Sequence, residues 1–241
     1  MSRRSLVVLV LAVFALAGVR ADARRQGVED IIAKNLQAKG GLEKMRAVQT
    51  IKQTSHLSIA GGAEATLVIY GKRPNMTRQE MNLAGQLVVS AFDGQTAWQI
   101  NPLRGMTSPT ALSGPEADAV KEQSDFDGPL VDYKTKGYTI ELVGTEPLGD
   151  RKAYHLKLTG KDQRVQHCYV DVETSLEAKI VSESPMGPIE QQLSDYRDVD
   201  GMKVPFQIRS LVAGTETAKI LVDRVEINAK FDDGIFRMPK G

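Results

Sequence analysis

From Ile51 onward, apolar and polar positions alternate with a period of two, and the alternating runs are separated by Gly-, Asn- and Asp-rich punctuation at Gly61-Gly62, Asp93-Gly94, Gly149-Asp150, Gly160-Lys161-Asp162, Asp200-Gly201 and Asp233-Gly234. A period of two sends successive side chains to opposite faces of an extended chain, and tight turns of this composition join antiparallel neighbours. The pattern predicts twelve strands, near 51–59, 64–72, 75–82, 85–92, 95–100, 138–144, 152–159, 164–171, 177–183, 189–197, 203–210 and 217–228. So long a hairpin series gives one large, strongly curved sheet. Ahead of it the period is helical: Val28, Ile31, Ile32, Asn35 and Leu36 fall at three- and four-residue spacing within 27–39, and Gly40-Gly41 stops the helix. A short turn over 42–48 leads into the first strand.

The strand series breaks once, between Pro102 and Lys136. Ser113-Gly114-Pro115-Glu116 places a capping hydroxyl three residues ahead of a carboxylate and predicts a short helix to about Lys121. It either covers a sheet face or is a solvated crossover. Phe126, Gly128, Pro129 and Leu130 then form an irregular, loop-rich stretch. Leu67-Val68-Ile69-Tyr70, Leu87-Val88-Val89 and Ile220-Leu221-Val222 are apolar on both faces, so these strands need cover on both sides. The two helical stretches shield one face at most. The other meets more sheet, curls onto itself or holds an apolar ligand; a well-packed interior without a ligand is the competing reading.

At the N-terminus, the apolar run Leu6 to Gly18 follows Arg3-Arg4 and ends near Ala21-Asp22-Ala23. A run of about 13 residues fits the core of a signal peptide and falls short of the roughly 20 that a spanning helix needs. Residues 1–23 are therefore read as a cleaved signal peptide and 24–241 as a single exported domain, with an uncleaved anchor as the alternative. Val19 follows Leu16-Ala17-Gly18 where a lipoprotein signal would carry cysteine, so the expected product is a soluble periplasmic protein. Losing Arg3, Arg4, Arg20 and Asp22 converts the net charge of +1 into −1, which gives no reason to invoke nucleic acid or an anionic membrane.

Cys168 is the only cysteine, which excludes an internal disulfide and a cysteine-rich metal site. His56, His155 and His167 are the only histidines and none has a zinc-binding spacing; if strands 152–159 and 164–171 pair across Gly160, His155 faces His167 or Cys168. Asp171, Glu173 and Glu177 surround a turn and read as solvated. There is no Gly-x-Ser-x-Gly elbow and no phosphate-cradling glycine loop. The residues supply no argument for an enzyme, a cofactor or a metal.

The most specific segment is Lys72-Arg73-Pro74-Asn75, followed by Asp93-Gly94-Gln95-Thr96-Ala97-Trp98-Gln99-Ile100-Asn101-Pro102. It resembles the LolA-like periplasmic lipoprotein carriers, in which a Lys-Arg-Pro-Asn stretch precedes Asp-Gly-x-Thr-x-Trp-x-x-Asn-Pro. Asp232-Asp233-Gly234-Ile235-Phe236-Arg237-Met238-Pro239 resembles the wider set of outer-membrane lipoprotein-sorting-like proteins. The resemblance implies a mainly β (α+β) fold, a single curved antiparallel sheet forming an unclosed β-barrel with short helices covering its mouth. It also implies a monomeric carrier without cofactor, whose concave apolar face takes the acyl chains of a lipoprotein or other acylated lipid from an inner-membrane donor to an outer-membrane acceptor. In such carriers the arginine at the position of Arg73 holds a lid shut. The expected cavity lining is Ile69, Leu87, Val89, Trp98 and Ile100, a face assignment that one residue of register reverses; Trp98 lines the cavity or is buried outside it. A lipid-binding envelope sensor is the alternative on the same fold, and a cofactor-free enzyme a further one.

Overall fold

The computed structural model of the protein gives the structure of residues 27–184 and 187–239; the expected signal peptide and its cleavage point lie outside these described residues. Helix α1 (27–38) and helix α2 (Leu42–Ala47) precede the sheet. The strands are β1 (Thr50–Ile59), β2 (Ala63–Lys72), β3 (Met76–Leu83), β4 (Gln86–Phe92), β5 (Ala97–Asn101) and β6 (Met106–Ala111), then β7 (Thr139–Leu148), β8 (Arg151–Thr159), β9 (Val165–Asp171), β10 (Glu177–Ser182), β11 (Ile189–Val199), β12 (Met202–Val212) and β13 (Thr215–Ile227). Helices α3 (Gly114–Gln123) and α4 (Tyr133–Lys136) lie between β6 and β7.

All pairings are antiparallel, and the spatial order is β6-β5-β4-β3-β2-β1-β13-β12-β11-β10-β9-β8-β7. The first and last strands pair at the centre of the sheet, as Ile51 with Ile227 and Leu57 with Ile220. The two edges are β6 and β7, and they do not pair, so the sheet is an unclosed barrel. One consequence is topological. β6 and β7 are consecutive in sequence yet occupy opposite edges, so residues 112–138 must cross from one edge to the other.

The sheet has thirteen strands where the alternation predicts twelve. The addition is β6, a mostly exposed edge strand that contains Pro109 and lies inside the stretch read as non-strand. Ser113 does occupy the N-cap of α3, but its hydroxyl makes no capping bond, and the helix runs on to Gln123.

Helix α1 forms as its apolar stripe predicts. Val28, Ile31 and Ile32 pack with Leu130, Leu156, Leu158, Cys168 and Val170, which places the helix over β8 and β9. Gly40 ends it with φ +123°, where a Cβ would sit 2.4 Å from the Gly201 carbonyl oxygen; only glycine lets the chain pass this close to the β11–β12 turn. Burial pushes the Cys168 thiol well above its ordinary range, so it is an inert core group.

Asp171 and Glu177 are buried, contrary to the solvated reading. Asp171 Oδ1 accepts from the backbone N–H of Glu173 and Thr174 and from the Thr174 hydroxyl, closing the β9–β10 turn. Glu177 Oε1 accepts from Lys39 Nζ at 2.9 Å, tying the end of α1 to β10. Burial alone would raise the Glu177 carboxyl; the Lys39 charge and hydrogen bond, with help from its own backbone N–H and Asn35, hold it below the usual range. Glu177→Gln is expected to cost about 3 kcal/mol by leaving Lys39 without its counter-charge, and about 6–12 °C in Tm for a domain of this size. Because the folded pKa is depressed, this stabilisation is complete above the ordinary glutamate pKa of about 4.3 and fades as pH falls through the folded value. Thermal melts at pH 7 and pH 3 check both parts: the gap between wild type and variant should narrow at the lower pH.

Candidate ligand-binding site

Cross-strand register defines which side chains share a face. Leu67 pairs with Met81, Ile69 with Gln79 and Gln79 with Ser90, while Gln79 Nε2 donates to Gln123 Oε1 of α3 at 2.9 Å. These residues therefore belong to the face that α3 covers. Following pairs in the other direction, Cys168 faces Ile180, then Gln191, Ser210 and Ala218. Since α1 packs on Cys168, both helices lie on one face, here called inner.

Between them runs an apolar strip across β13, β1, β2 and β3. Leu57, Ala65 and Leu67 are buried, and Ile59, Ile69, Met81, Leu83, Ala218 and Ile220 pack against them partly buried. The strip extends away from α2 towards the β1–β2 and β3–β4 turns. It is uninterrupted by charge.

The crossing segment 112–138 behaves as a strap over the opening. Ala117 and Val120 of α3 pack on Phe92 and Ala97. Phe126 lies against Gly71, where even a Cβ would come within 3.4 Å of its ring. Leu130 joins the α1 cluster on the far side. Glu122 Oε2 accepts from Arg164 Nη1 at 2.6 Å, which hooks the end of α3 to the β8–β9 hairpin.

Arg73 fastens the middle of this strap. Its Nε donates to the Val48 carbonyl at 2.6 Å and Nη2 to the Met45 carbonyl at 2.7 Å, while Nη1 and Nη2 reach the two oxygens of Asp127 at 2.6 and 2.5 Å. The guanidinium also lies 4.7 Å from the Phe126 ring centre. One planar fork thus joins the C-terminal end of α2 to the strap, a geometry a lysine cannot reproduce. Within the strap, Lys136 Nζ donates to Asp125 Oδ1 at 2.5 Å and to the Gly128 carbonyl at 2.7 Å, bracing the loop on itself.

The five residues expected to line the cavity do not share a face. Ile69 lies in the inner strip, whereas Val89 pairs with Ile100 and Ala91 with Trp98 on the opposite, outer face, and Leu87 alternates with them there, 45 % exposed. Val89, Ala91 and Trp98 form a buried cluster with Ile100 packed on it. What covers it is the C-terminal segment after β13, where Asp233–Phe236 makes a 3-10 turn. Trp98 is 0 % exposed and donates its Nε1–H to the Phe236 carbonyl at 2.7 Å. Phe231 packs edge-on to both Tyr70 and Phe236. On the outer face the C-terminal segment therefore covers part of this double apolarity, at Val89, Ala91 and Trp98, while Leu87 and Leu221 stay exposed.

Sequence reasoning missed Asp127, the main partner of Arg73, and Phe231 and Phe236, which cap the outer face. Two phenylalanines after the last strand, bracketing the Asp232-Asp233-Gly234 turn, were the available signal for the latter. His155 meets His167 across β8 and β9, while Cys168 lies on the inner face. A cavity of about 270 Å³ beside α3 is lined by polar groups, including Glu122, Lys136, Tyr138, Arg164 and Glu183. Burial, then the carboxylates of Glu122 and Asp125, push the Tyr138 phenol upward.

No family model matches the sequence, and no curated protein matches it either. Solved structures do. A DUF1329-family protein from Desulfovibrio piger superposes with a TM-score of 0.61 at 13% identity, covering 87% of this chain and 97% of its own. A LolA-superfamily protein from Nitrosomonas europaea gives 0.58 at 16% identity, covering 87% and 97%. A putative outer-membrane lipoprotein-sorting protein domain from Vibrio parahaemolyticus gives 0.53 at 10% identity, covering 85% and 97%. The fold is LolA-like.

Proposed function

We propose that the protein binds acyl chains on the inner apolar strip and serves as a periplasmic carrier of lipoproteins between an inner-membrane donor and an outer-membrane acceptor. The observation that carries the reading is the continuous strip of Leu57, Ile59, Leu67, Ile69, Met81 and Ile220 on the inner face, beside a strap that Arg73 ties to the end of α2. Each methylene buried there contributes about 0.8 kcal/mol, so a chain of lipid length gains enough to leave a bilayer only if much of it finds cover. The Lys72-Arg73-Pro74-Asn75 and Asp93-to-Pro102 motifs support the same reading, because they belong to lipoprotein carriers in the family the chain resembles.

Met81→Glu introduces a charge into the strip and is expected to weaken binding of a fluorescent fatty-acyl probe at least tenfold. Leu87→Glu, exposed on the outer face, leaves it unchanged. Circular dichroism establishes that both variants are folded. Equal binding by Met81→Glu and wild type places any lipid elsewhere. Native mass spectrometry of protein isolated from its own periplasm then identifies the cargo: an acylated polypeptide supports the carrier, and a free lipid replaces lipoprotein with another ligand.

A further inference from the structure

A row of side chains crosses the outer face on consecutive strands. Lys52 of β1 pairs with Tyr70 of β2, Tyr70 with Arg78 of β3, Arg78 with Ala91 of β4, and Ala91 with Trp98 of β5. The C-terminal segment passes over this row and leaves a groove of about 360 Å³, walled on the sheet side by Lys52, Tyr70, Arg78 and Glu80 and on the segment side by Lys230, Phe231 and Arg237. Four of these side chains are cationic and one is a carboxylate. The whole chain carries a net charge of only +1, so the excess is a local concentration of positive charge and does not follow from composition.

The nearby carboxylates are already engaged. Glu80 Oε1 accepts from Arg78 Nε at 2.7 Å, and Arg78 Nη1 donates to the Ile235 carbonyl at 2.8 Å, which fixes the guanidinium before any ligand arrives and leaves Nη2 uncommitted among the described residues. Glu226, directly across from Lys52 on β13, pairs with Arg224 at 3.2 Å, and Asp233 pairs with Lys72 at 2.5 Å. Among the described residues no carboxylate forms an ion pair with Lys52, Lys230 or Arg237. Lys52 instead lies 5.7 Å from the Tyr70 ring centre. Tyr70 and Phe231, edge-on at 5.5 Å, give the groove an aromatic wall, which keeps water from one side of these cations and strengthens their field.

We propose that this groove binds a phosphate ester through Lys52, Arg78, Lys230 and Arg237. A carboxylate presents two oxygens, which one guanidinium satisfies. A phosphate monoester presents three and carries a charge of about −1.5 to −2 at neutral pH, which suits several cations converging from two sides. The Tyr70–Phe231 wall takes the carbon skeleton to which the phosphate is esterified. A ligand held this way also cross-links two parts of the chain, because Lys52 and Arg78 belong to the sheet while Lys230 and Arg237 belong to the C-terminal segment. Occupancy therefore tightens the segment that seals Trp98.

Calorimetric titration of the full mature chain with glycerol 3-phosphate at low ionic strength should show one site per chain, and binding should slow hydrogen exchange over residues 229–239. Lys52→Gln combined with Lys230→Gln removes no ion pair among the described residues, so the variant folds; it should weaken binding at least tenfold and abolish that slowing. Lys157→Gln, a charge lost from the outer face of β8, should bind as wild type does. Sedimentation with vesicles separates the two sources of such an ester: phosphatidylcholine vesicles doped with phosphatidic acid are compared with pure phosphatidylcholine vesicles of the same acyl chains. Preference for phosphatidic acid that the double variant loses identifies a lipid headgroup, and binding of glycerol 3-phosphate alone identifies a soluble ester. Binding to neither probe, or binding that the double variant retains, overturns the proposal and leaves the acyl-chain reading standing, because the apolar strip lies on the other face.

Discussion

Replacing Arg73 by leucine is expected to raise hydrogen exchange in residues 113–132 by roughly 100-fold while the central strands keep their protection. The guanidinium makes four hydrogen bonds, two of them to a carboxylate whose side chain is only 18% exposed, and its removal strands Asp127 as well as the carbonyls of Met45 and Val48. Breaking a largely buried, charge-assisted pair costs about 3 kcal/mol or more, and each 1.4 kcal/mol of local opening is a factor of about ten in exchange. Asp127→Asn keeps the shape and removes only the charge, so its effect should fall between wild type and Arg73→Leu. Under the carrier reading the consequence is in delivery rather than capture. A strap that closes on release helps expel its ligand; a strap left open lets the acyl chain keep contacts it would otherwise lose, and transfer to an acceptor slows. Unchanged exchange over 113–132 together with unchanged transfer would reduce Arg73 to a surface residue.

The contrast between what the chain discloses and what it conceals follows from the range of each interaction. Alternation and turn chemistry are local, so the strands, the Val28-Ile31-Ile32 stripe and the Asp93-Gly94 turn are legible; Asp93 Oδ1 accepts from the backbone of Gln95 and Thr96, as a turn aspartate does. β6 is not, because Met106-Thr107-Ser108-Pro109-Thr110-Ala111 has no buried face to impose alternation and its proline is tolerated only at an edge. Face assignment is the larger loss. Ile69 and Val89 look alike in sequence, and only the pairing of Val68 with Glu80 and of Glu80 with Val89 reveals that they point to opposite sides. Burial of Glu177 is equally invisible, since this turn carboxylate becomes a core group only when α1 and Lys39 arrive from 138 residues away. The Lys72-Arg73-Pro74-Asn75 motif draws attention to Arg73, whereas its partner Asp127 sits in a loop with no periodicity to mark it.

Trp98→Ala should be the most destabilising single change proposed for this chain, at about 3–5 kcal/mol, which corresponds to a Tm lower by about 6–20 °C. The indole is wholly buried among Val89, Ala91 and Ile100, and truncation opens a void that the sheet backbone cannot close. It also strands the Phe236 carbonyl, and with it the hold of the C-terminal segment on the outer face. The Arg78 guanidinium, 5.5 Å from the Trp98 ring centre and bonded to the Ile235 carbonyl, loses the surface it rests on. Trp98→Phe separates these contributions: it retains most of the ring and forfeits the hydrogen bond, so it should cost nearer 1–2 kcal/mol. Denaturant unfolding of the three proteins measures the order, and a Trp98→Ala variant within 1 kcal/mol of wild type would mean the segment does not seal this face. The same placement fixes what fluorescence will report. Trp98 is the chain's only tryptophan and lies across the sheet from the apolar strip, so an acyl chain bound between α1 and α3 should leave its emission nearly unchanged while the probe's own signal rises. Strong quenching of Trp98 by a bound chain would instead put the ligand on the outer face, beneath residues 229–239.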